Sequence, residues 1–565
     1  MDASSPALIG VPVAERDRLR IGMLWGDFPW AVPPPKIGTL WSSGVVARNV
    51  TRALNALGRV VPFTLPQAPV SPHMQRKLVT DFLRSIDILW ADLYPGSADA
   101  LSLRHDLGLD CPALLYAGGV LPKGAEAMLF PWRHLLTPRD HLLFTCAADQ
   151  LIWRRLVRHC ALREWILPLS IDETIFHPRS PEVCIATRIQ HHLPVDAPLL
   201  LYVGRLNIQK NVHTLLRLFA AVRTVLPKAH MCLVGEEDEI VLGEFQVRNT
   251  GYVIWLRQLA ANLGLTEHVT FVGTQFGQDL ARLYAAADVF VNASVYHREN
   301  FGLAQAEAQA CGVPVVCTAW GGFKDVIRAG ETGYFMDAVM TKHGIRVDWA
   351  TGAQRVIELL TTPTLHRQMR LQAQTWAKQR LSNAAVVDML APIVSAQRQD
   401  ALGTLLEQPA YAPSAFARRY EAHKRRCGWY ATDEQLRRRW YPRMFQGRDY
   451  HLYEILLGPY ATYHAASTPA RAIGSSWVPY IVAGIQLDAM RHLVIDLDPI
   501  WPQHQFLPTV AWDILQLIDG VTPVDGLITR LSAQQYTATD VRAGVWHLYV
   551  DGLIMLKRGH TPDAD

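Results

Sequence analysis

The stretch DVFVNASVYHRENFGLAQAEAQACGVPVV (Asp288–Val316) decides the fold. Its opening, DVFVNAS (Asp288 to Ser294), is an apolar run of the length expected for a strand buried inside a parallel sheet. GLAQAEAQA is rich in strong helix formers, and Gly312 followed by Pro314 stops the helix. A loop therefore runs straight into a helix. Asn300, Phe301 and Gly302 present backbone N–H groups at its N-terminus, a ready site for a phosphate or diphosphate. Glu299 and Glu307 flank that start. Their spacing corresponds to roughly 12 Å along a helix axis, less if Glu299 lies in the loop. One acid can face a hydroxylated group on one side of a diphosphate, and the other a second group opposite. Ribose, diphosphate and sugar have that layout in a nucleotide sugar. The same spacing also suits a surface helix with two unrelated glutamates, so the neighbouring segments have to decide.

LLLYVGRLNIQKN (Leu199 to Asn211) reads as a strand ending in a glycine turn at Gly204, with Asn211 placed to cap the helix VHTLLRLFAAVRTVL. Ligands of open α/β sheets bind outside the carboxyl ends of the strands. Arg205 and Lys210 follow such an end and can neutralise a diphosphate, Arg bidentately and Lys as a point charge. Taken alone, they are also compatible with two solvated surface cations. MCLVG (231–235), a helix over 252–262, VTFVG (269–273) and DLARLYAAA (279–287) continue a β–α–β repetition with short connections.

In this order, VGRLNIQKN, HVTFVGTQF, LARLYAAADVFVNAS, ENFGLAQAEAQACGVPVV and GGFKDVI…GETGYF resemble the donor-binding domain of a GT-B glycosyltransferase. The resemblance is to the retaining family numbered four, the group 1 glycosyl transferases that include glycogen and sucrose synthases. It implies an α/β fold with two Rossmann-like doubly wound domains facing a cleft. It implies that Arg205 and Lys210 hold the donor phosphates, that Glu299 contacts the transferred sugar and that Glu307 takes the ribose hydroxyls. Gly204 and the backbone of Asn300, Phe301, Gly302 and Leu303 would line phosphate or sugar. Gly273, Thr274 and Gln275 would lie near the base.

The first 185 residues fit the partner domain more loosely. RIGMLW (20–25), IDILWADLY (86–94) and ALLYAGG (113–119) read as strands, and WSSGVVARNVTRALNALG as a helix ended by Gly58. Gly38, in PPPKIG, sits where the family places a glycine loop against the donor diphosphate; a Pro-rich turn relieved by glycine explains it equally. LPLSIDETIFHP resembles the passage between the domains. Many relatives carry a histidine after the strand matching ALLYAGG, where this chain has Ala117, Gly118 and Gly119. His105, in the preceding helix, is read as a surface or packing residue. No catalytic base is named, and a retaining mechanism tolerates that, because the departing diphosphate oxygen can take the acceptor's proton.

No metal or cofactor is expected; the donor, a UDP- or GDP-sugar, is the substrate. Asp496-Leu497-Asp498 is read as incidental, and the eight cysteines show no C-x-x-C spacing. Cys232, Cys311 and Cys317 read as buried free thiols, which suits a reducing cytoplasm. MDASSPALIG shows no signal-peptide pattern and no apolar run reaches membrane-spanning length. At 50% hydrophobic and 19% charged residues, general disorder is excluded, and a net charge of +4 does not argue for nucleic acid.

The expected domains are 1–185 on the acceptor side, 186–400 on the donor side, a basic and aromatic helical extension over 401–485, and 486–565. Arg418 to Arg443 holds nine basic residues against three acids, interleaved with aromatics. That suits peripheral contact with an anionic membrane, an acidic chain or single strands, and equally a pair of packed helices with solvated arginines. In the last segment, HLVIDLDP reads as a strand and AWDILQLIDG, TPVDGLITRLSAQ and TDVRAGVWHLYVDG as helices. LPTVAWDILQLIDG, TPVDGLITRL and WHLYVDGLIML resemble the PqqD-like winged helix, which in relatives binds leader peptides; a plain structural cap is the alternative. The functional expectation is a cytoplasmic retaining glycosyltransferase acting on a peptide, protein, glycan or lipid-linked acceptor. The alternative is a catalytically silent scaffold that binds a nucleotide sugar and recruits a peptide.

Overall fold

The computed structural model describes residues 19–24, 42–63, 71–92, 95–117, 133–207, 210–237, 251–296, 299–341, 344–399, 411–415, 418, 458–464, 472–482, 484–490, 493–496 and 503–557. Gly38, Gly118, Gly119, Leu497, Asp498 and the basic stretch beyond Arg418 lie outside them. The chain forms two compact units, Met1–Glu173 with Lys378–Ala417, and Thr174–Ala377 with Arg418–Asp565.

The first unit carries β1 (Arg20–Leu24), β2 (Arg59–Pro62), β3 (Ile88–Asp92), β4 (Ala113–Tyr116), β5 (His141–Phe144), β6 (Val157–Cys160) and β7 (Arg163–Ile166). Six of them form a parallel sheet ordered β2-β1-β3-β4-β5-β7, a doubly wound arrangement. β6 instead pairs antiparallel with Tyr411–Pro413. Every residue of β3 is buried, as a central parallel strand requires. Beneath the sheet, Arg104 holds Asp140 through two bonds of 2.6 and 2.8 Å and donates to the Leu135 and Cys111 carbonyls. Asp140 also accepts from the Ala113 and Thr137 amides, so the buried pair is fully bonded.

The second unit carries β8 (Leu199–Val203), β9 (His230–Val234), β10 (Val269–Gly273), β11 (Val289–Asn292), β12 (Val315–Thr318) and β13 (Gly333–Met336). Their order is β10-β9-β8-β11-β12-β13, all parallel. Counted within the unit this is 3-2-1-4-5-6, the dinucleotide-fold order, whose switch point falls between β8 and β11. β14 (Ala338–Thr341) and β15 (Gly344–Val347) form a hairpin, and Tyr463–His464 adds a parallel strand to β14.

The C-terminal elements belong to the same unit. Ile485–Asp488, Leu493–Asp496 and Gln503–Phe506 make an antiparallel meander, followed by helices Thr509–Leu517, Val524–Ser532 and Ala538–Val550. Thr537 and Asp540 close a capping box on the last helix. Trp512, Ile514, Leu515, Leu527, Leu531 and Leu548 form one core with Val339 of β14. The Tyr480 hydroxyl donates to Asp348 Oδ2 at 2.8 Å, a second tie, to the residue that caps helix Trp349–Thr361 just after β15. Among the described residues no helix is long and apolar enough to cross a membrane.

Candidate functional site

The switch point gathers two loops. After β8 come Gly204, Arg205, Leu206 and Asn207, then Lys210, Asn211 and the helix Val212–Val225. After β11 come Ala293 to Tyr296, then Glu299 to Gly302 and the helix Leu303–Ala310. The expected capping role of Asn211 is corrected. Its backbone is left-handed (φ 55°) and its side chain caps no helix amide. Instead Nδ2 donates to the Ala293 carbonyl at 3.0 Å and Oδ1 accepts from Thr214 Oγ1. The residue ties the two loops together, a better use of a buried amide than a local cap.

Across that tie, the Lys210 ammonium forms an ion pair with Glu299 Oε1, their side chains 17% and 12% exposed. Ser294 Oγ donates to the same oxygen at 2.8 Å, and the ammonium stands 5.4 Å from the centre of the Tyr296 ring. The Asn207 side-chain oxygen accepts from the Lys210 amide at 3.1 Å. So little exposure keeps the pair strong, yet an anion arriving at the helix start would compete directly for the ammonium.

The Glu299 loop is fixed from behind. Thr318 Oγ1 donates to the Ser294 carbonyl at 2.6 Å, Trp320 Nε1 to the Tyr296 carbonyl at 2.7 Å, and the Gly322 amide to the Glu299 carbonyl at 2.7 Å. Gly322 is required there, since a Cβ would stand 2.4 Å from Asn300 C and Phe301 N. Gly302, at φ 105°, takes the helix-cap position, so the first N–H groups of Leu303–Ala310 have no intrahelical acceptor.

Arg205 follows the end of β8, half-buried, and its carbonyl accepts the Tyr202 hydroxyl at 3.0 Å. Gly204, Gly235 and Gly273 lie along the carboxyl edge of β8, β9 and β10, joined by Gly204 N to Val234 O and Gly235 N to Gly273 O, each 3.0 Å. Thr274 and Gln275 continue from that edge, half-buried. Glu237 accepts from the Tyr252 and Val253 amides and caps the helix Tyr252–Asn262.

Glu307 is the surprise. It lies within the helix, buried, and its Oε2 accepts the Tyr284 hydroxyl at 3.0 Å. Burial pushes its carboxyl up to about 8, against the opposing pull of that hydrogen bond. Glu299 sits in the loop, so the two acids do not share one helix. Cys232, Cys311 and Cys317 are buried free thiols, as expected. Among the described residues no group of three or more His, Cys, Asp or Glu converges to hold a metal.

Sequence reasoning missed Ser294, Tyr296 and Asn207 as partners, and gave Asn211 only a capping role. Their one signal was position, since each follows the end of a buried strand.

Residues 185–376 match the family described as "Glycosyl transferases group 1". The D-inositol 3-phosphate glycosyltransferase of Stackebrandtia nassauensis is 32% identical over 192 residues, 34% of this chain and 40% of that protein. The enzyme of the same name from Thermomonospora curvata is 36% identical over 178 residues, 31% of this chain and 40% of that one. The chain thus spans about two fifths of the length of these curated relatives. Anabaena HepE in complex with UDP superposes with a TM-score of 0.51 at 18% identity, covering 67% of this chain and all of that one. A glycosyltransferase from Rickettsia africae gives 0.52 at 15% identity, covering 68% and 100%. The two solved structures carry the fold, whose class is GT-B, and residues 185–376 are similar to the glycosyl transferases group 1 family.

Proposed function

We propose that the chain is a retaining glycosyltransferase that moves a sugar from a nucleotide-sugar donor to an acceptor. The observation that carries this reading is the Lys210–Glu299 pair, set at the switch point beside the start of helix Leu303–Ala310. In that pair the ammonium and the carboxylate neutralise each other. A donor diphosphate at the helix start takes the ammonium, with Arg205 as second cation, and frees Glu299 for a sugar hydroxyl. Glu307 takes the ribose hydroxyls. Gly273, Thr274 and Gln275 border the base.

In the transfer step the bond from the sugar's anomeric carbon to the diphosphate oxygen breaks, and a bond to the acceptor oxygen forms on the same face. The acceptor's proton goes to the departing phosphate oxygen. Lys210, Arg205 and the helix start stabilise the charge that develops there, the role the proposal gives to protein groups instead of a metal.

The acceptor is a peptide or protein delivered by the C-terminal domain. Its meander leaves Gln503–Phe506 as an edge strand, with Phe506 72% exposed, and an extended peptide can add to such an edge.

The test is slow hydrolysis of a panel of nucleotide sugars, beginning with UDP-glucose because HepE was solved with UDP. Loss of one charge-stabilising group costs about 10²–10³-fold, so Lys210→Ala should fall by that much while remaining folded. Hydrolysis that Lys210→Ala and Arg205→Ala both leave intact would remove the assignment.

A further inference from the structure

The loop bearing Glu299 is held by a turn that is itself held by a distant part of the chain. Trp320, Gly321 and Gly322 supply the turn, and Pro459 to Thr462 pack behind it. The Gly321 amide donates to the Tyr460 carbonyl at 3.0 Å, and the Tyr460 ring, fully buried, lies 5.6 Å from the Trp320 ring. A Cβ on Gly321 would meet the Tyr460 ring at 2.3 Å on one side and the Glu299 carbonyl oxygen at 2.3 Å on the other. One glycine therefore separates the aromatic ring from the main chain of the sugar-facing acid.

The anchoring of Tyr460 is equally specific. Lys324 Nζ donates to the Pro459 and Ala461 carbonyls at 2.7 and 3.2 Å. The Thr462 amide donates to the Ala338 carbonyl and its hydroxyl accepts from the Ala338 amide, extending β14. Trp320 and Gly322 in turn hold Tyr296 and Glu299.

We propose that Tyr460 is a positioning residue for Glu299, so that the extension beyond the donor-side sheet sets the geometry of the sugar subsite. This rests on the reading of Glu299 as a sugar contact. Packing makes the brace: an aromatic ring filling the space behind Gly321 leaves the loop one arrangement, whereas its removal opens a void into which the loop can relax. The diphosphate cation, Lys210, comes from the other loop and is not braced this way.

The full-length chain is compared with Tyr460→Ala, Tyr460→Phe and Lys210→Ala. Phe keeps the ring and the main-chain carbonyl, so it should behave as the parent. In Tyr460→Ala, amide exchange over 299–302 should quicken about tenfold or more, with 269–287 unchanged, because only the local opening is altered. UDP-glucose turnover should fall through kcat, while UDP, which lacks the sugar, binds as before. Lys324→Met serves if Tyr460→Ala does not fold, and should shift exchange and kcat in the same direction by less.

Unchanged exchange over 299–302 would overturn the proposal, with or without a donor. Parallel loss of UDP binding and turnover would also overturn it, by making Tyr460 a general fold element. Faster exchange restored by Phe, in a chain whose UDP-glucose binding Lys210→Ala leaves intact, would support the brace while the donor reading fails.

Discussion

On the proposed assignment to the ribose, Glu307 links nucleotide binding to pH. Its carboxyl is raised from 4.5 to about 8 by burial in helix Leu303–Ala310. Accepting ribose hydroxyls favours the ionised form. At pH 6, two units below the raised value, ionising it costs about 2.7 kcal/mol, at 1.36 kcal/mol per unit. Affinity for UDP-glucose should therefore rise up to about tenfold per unit between pH 6 and 7 and level off above 8. The donor's phosphate diesters stay ionised throughout, so the slope belongs to the protein. Glu307→Gln should flatten it.

Stability moves the other way. The folded value exceeds the unfolded one, so this carboxyl's contribution is fully present below about 4.5 and is lost as pH rises through about 8. Titration calorimetry in two buffers of different ionisation enthalpy counts the proton released on binding. A flat affinity profile in the parent chain, or the same slope in Glu307→Gln, would refute the assignment of Glu307 to the ribose.

Two further outcomes follow from geometry. Arg104→Met strands the buried Asp140 carboxylate, whose pairing is otherwise complete, and should destabilise the first unit by about 3–5 kcal/mol in urea unfolding. Gly322→Ala forces a Cβ to within 2.4 Å of the Asn300–Phe301 main chain; overpacking of about 1–3 kcal/mol should leave the fold by circular dichroism but abolish UDP-glucose binding.

Much of this was legible from sequence because parallel strands announce themselves. LLLYV, VFVN and VVCT are continuous apolar runs, each flanked by glycine, asparagine or proline, and their order along the chain set the α/β class. Arg205, Lys210 and Glu299 were legible as residues just past strand ends. The Glu307–Tyr284 bond was not, since a buried hydroxyl and carboxyl on two helices leave no periodic trace. Tyr460 left still less, its target lying far upstream in sequence. Short strands such as RVVP, IQLD and QHQF escaped because four residues of weak alternation do not distinguish an edge strand from a loop. Gly38 and the arginine-rich stretch beyond Arg418 fall outside the described residues.

The most direct measurement of the central claim is a crystal structure with a non-hydrolysable UDP-sugar. The diphosphate should lie against the Gly302–Leu303 amides, with Lys210 turned from Glu299 onto a phosphate oxygen and Glu299 on a sugar hydroxyl. A diphosphate bound elsewhere, with the Lys210–Glu299 pair unbroken, would contradict it.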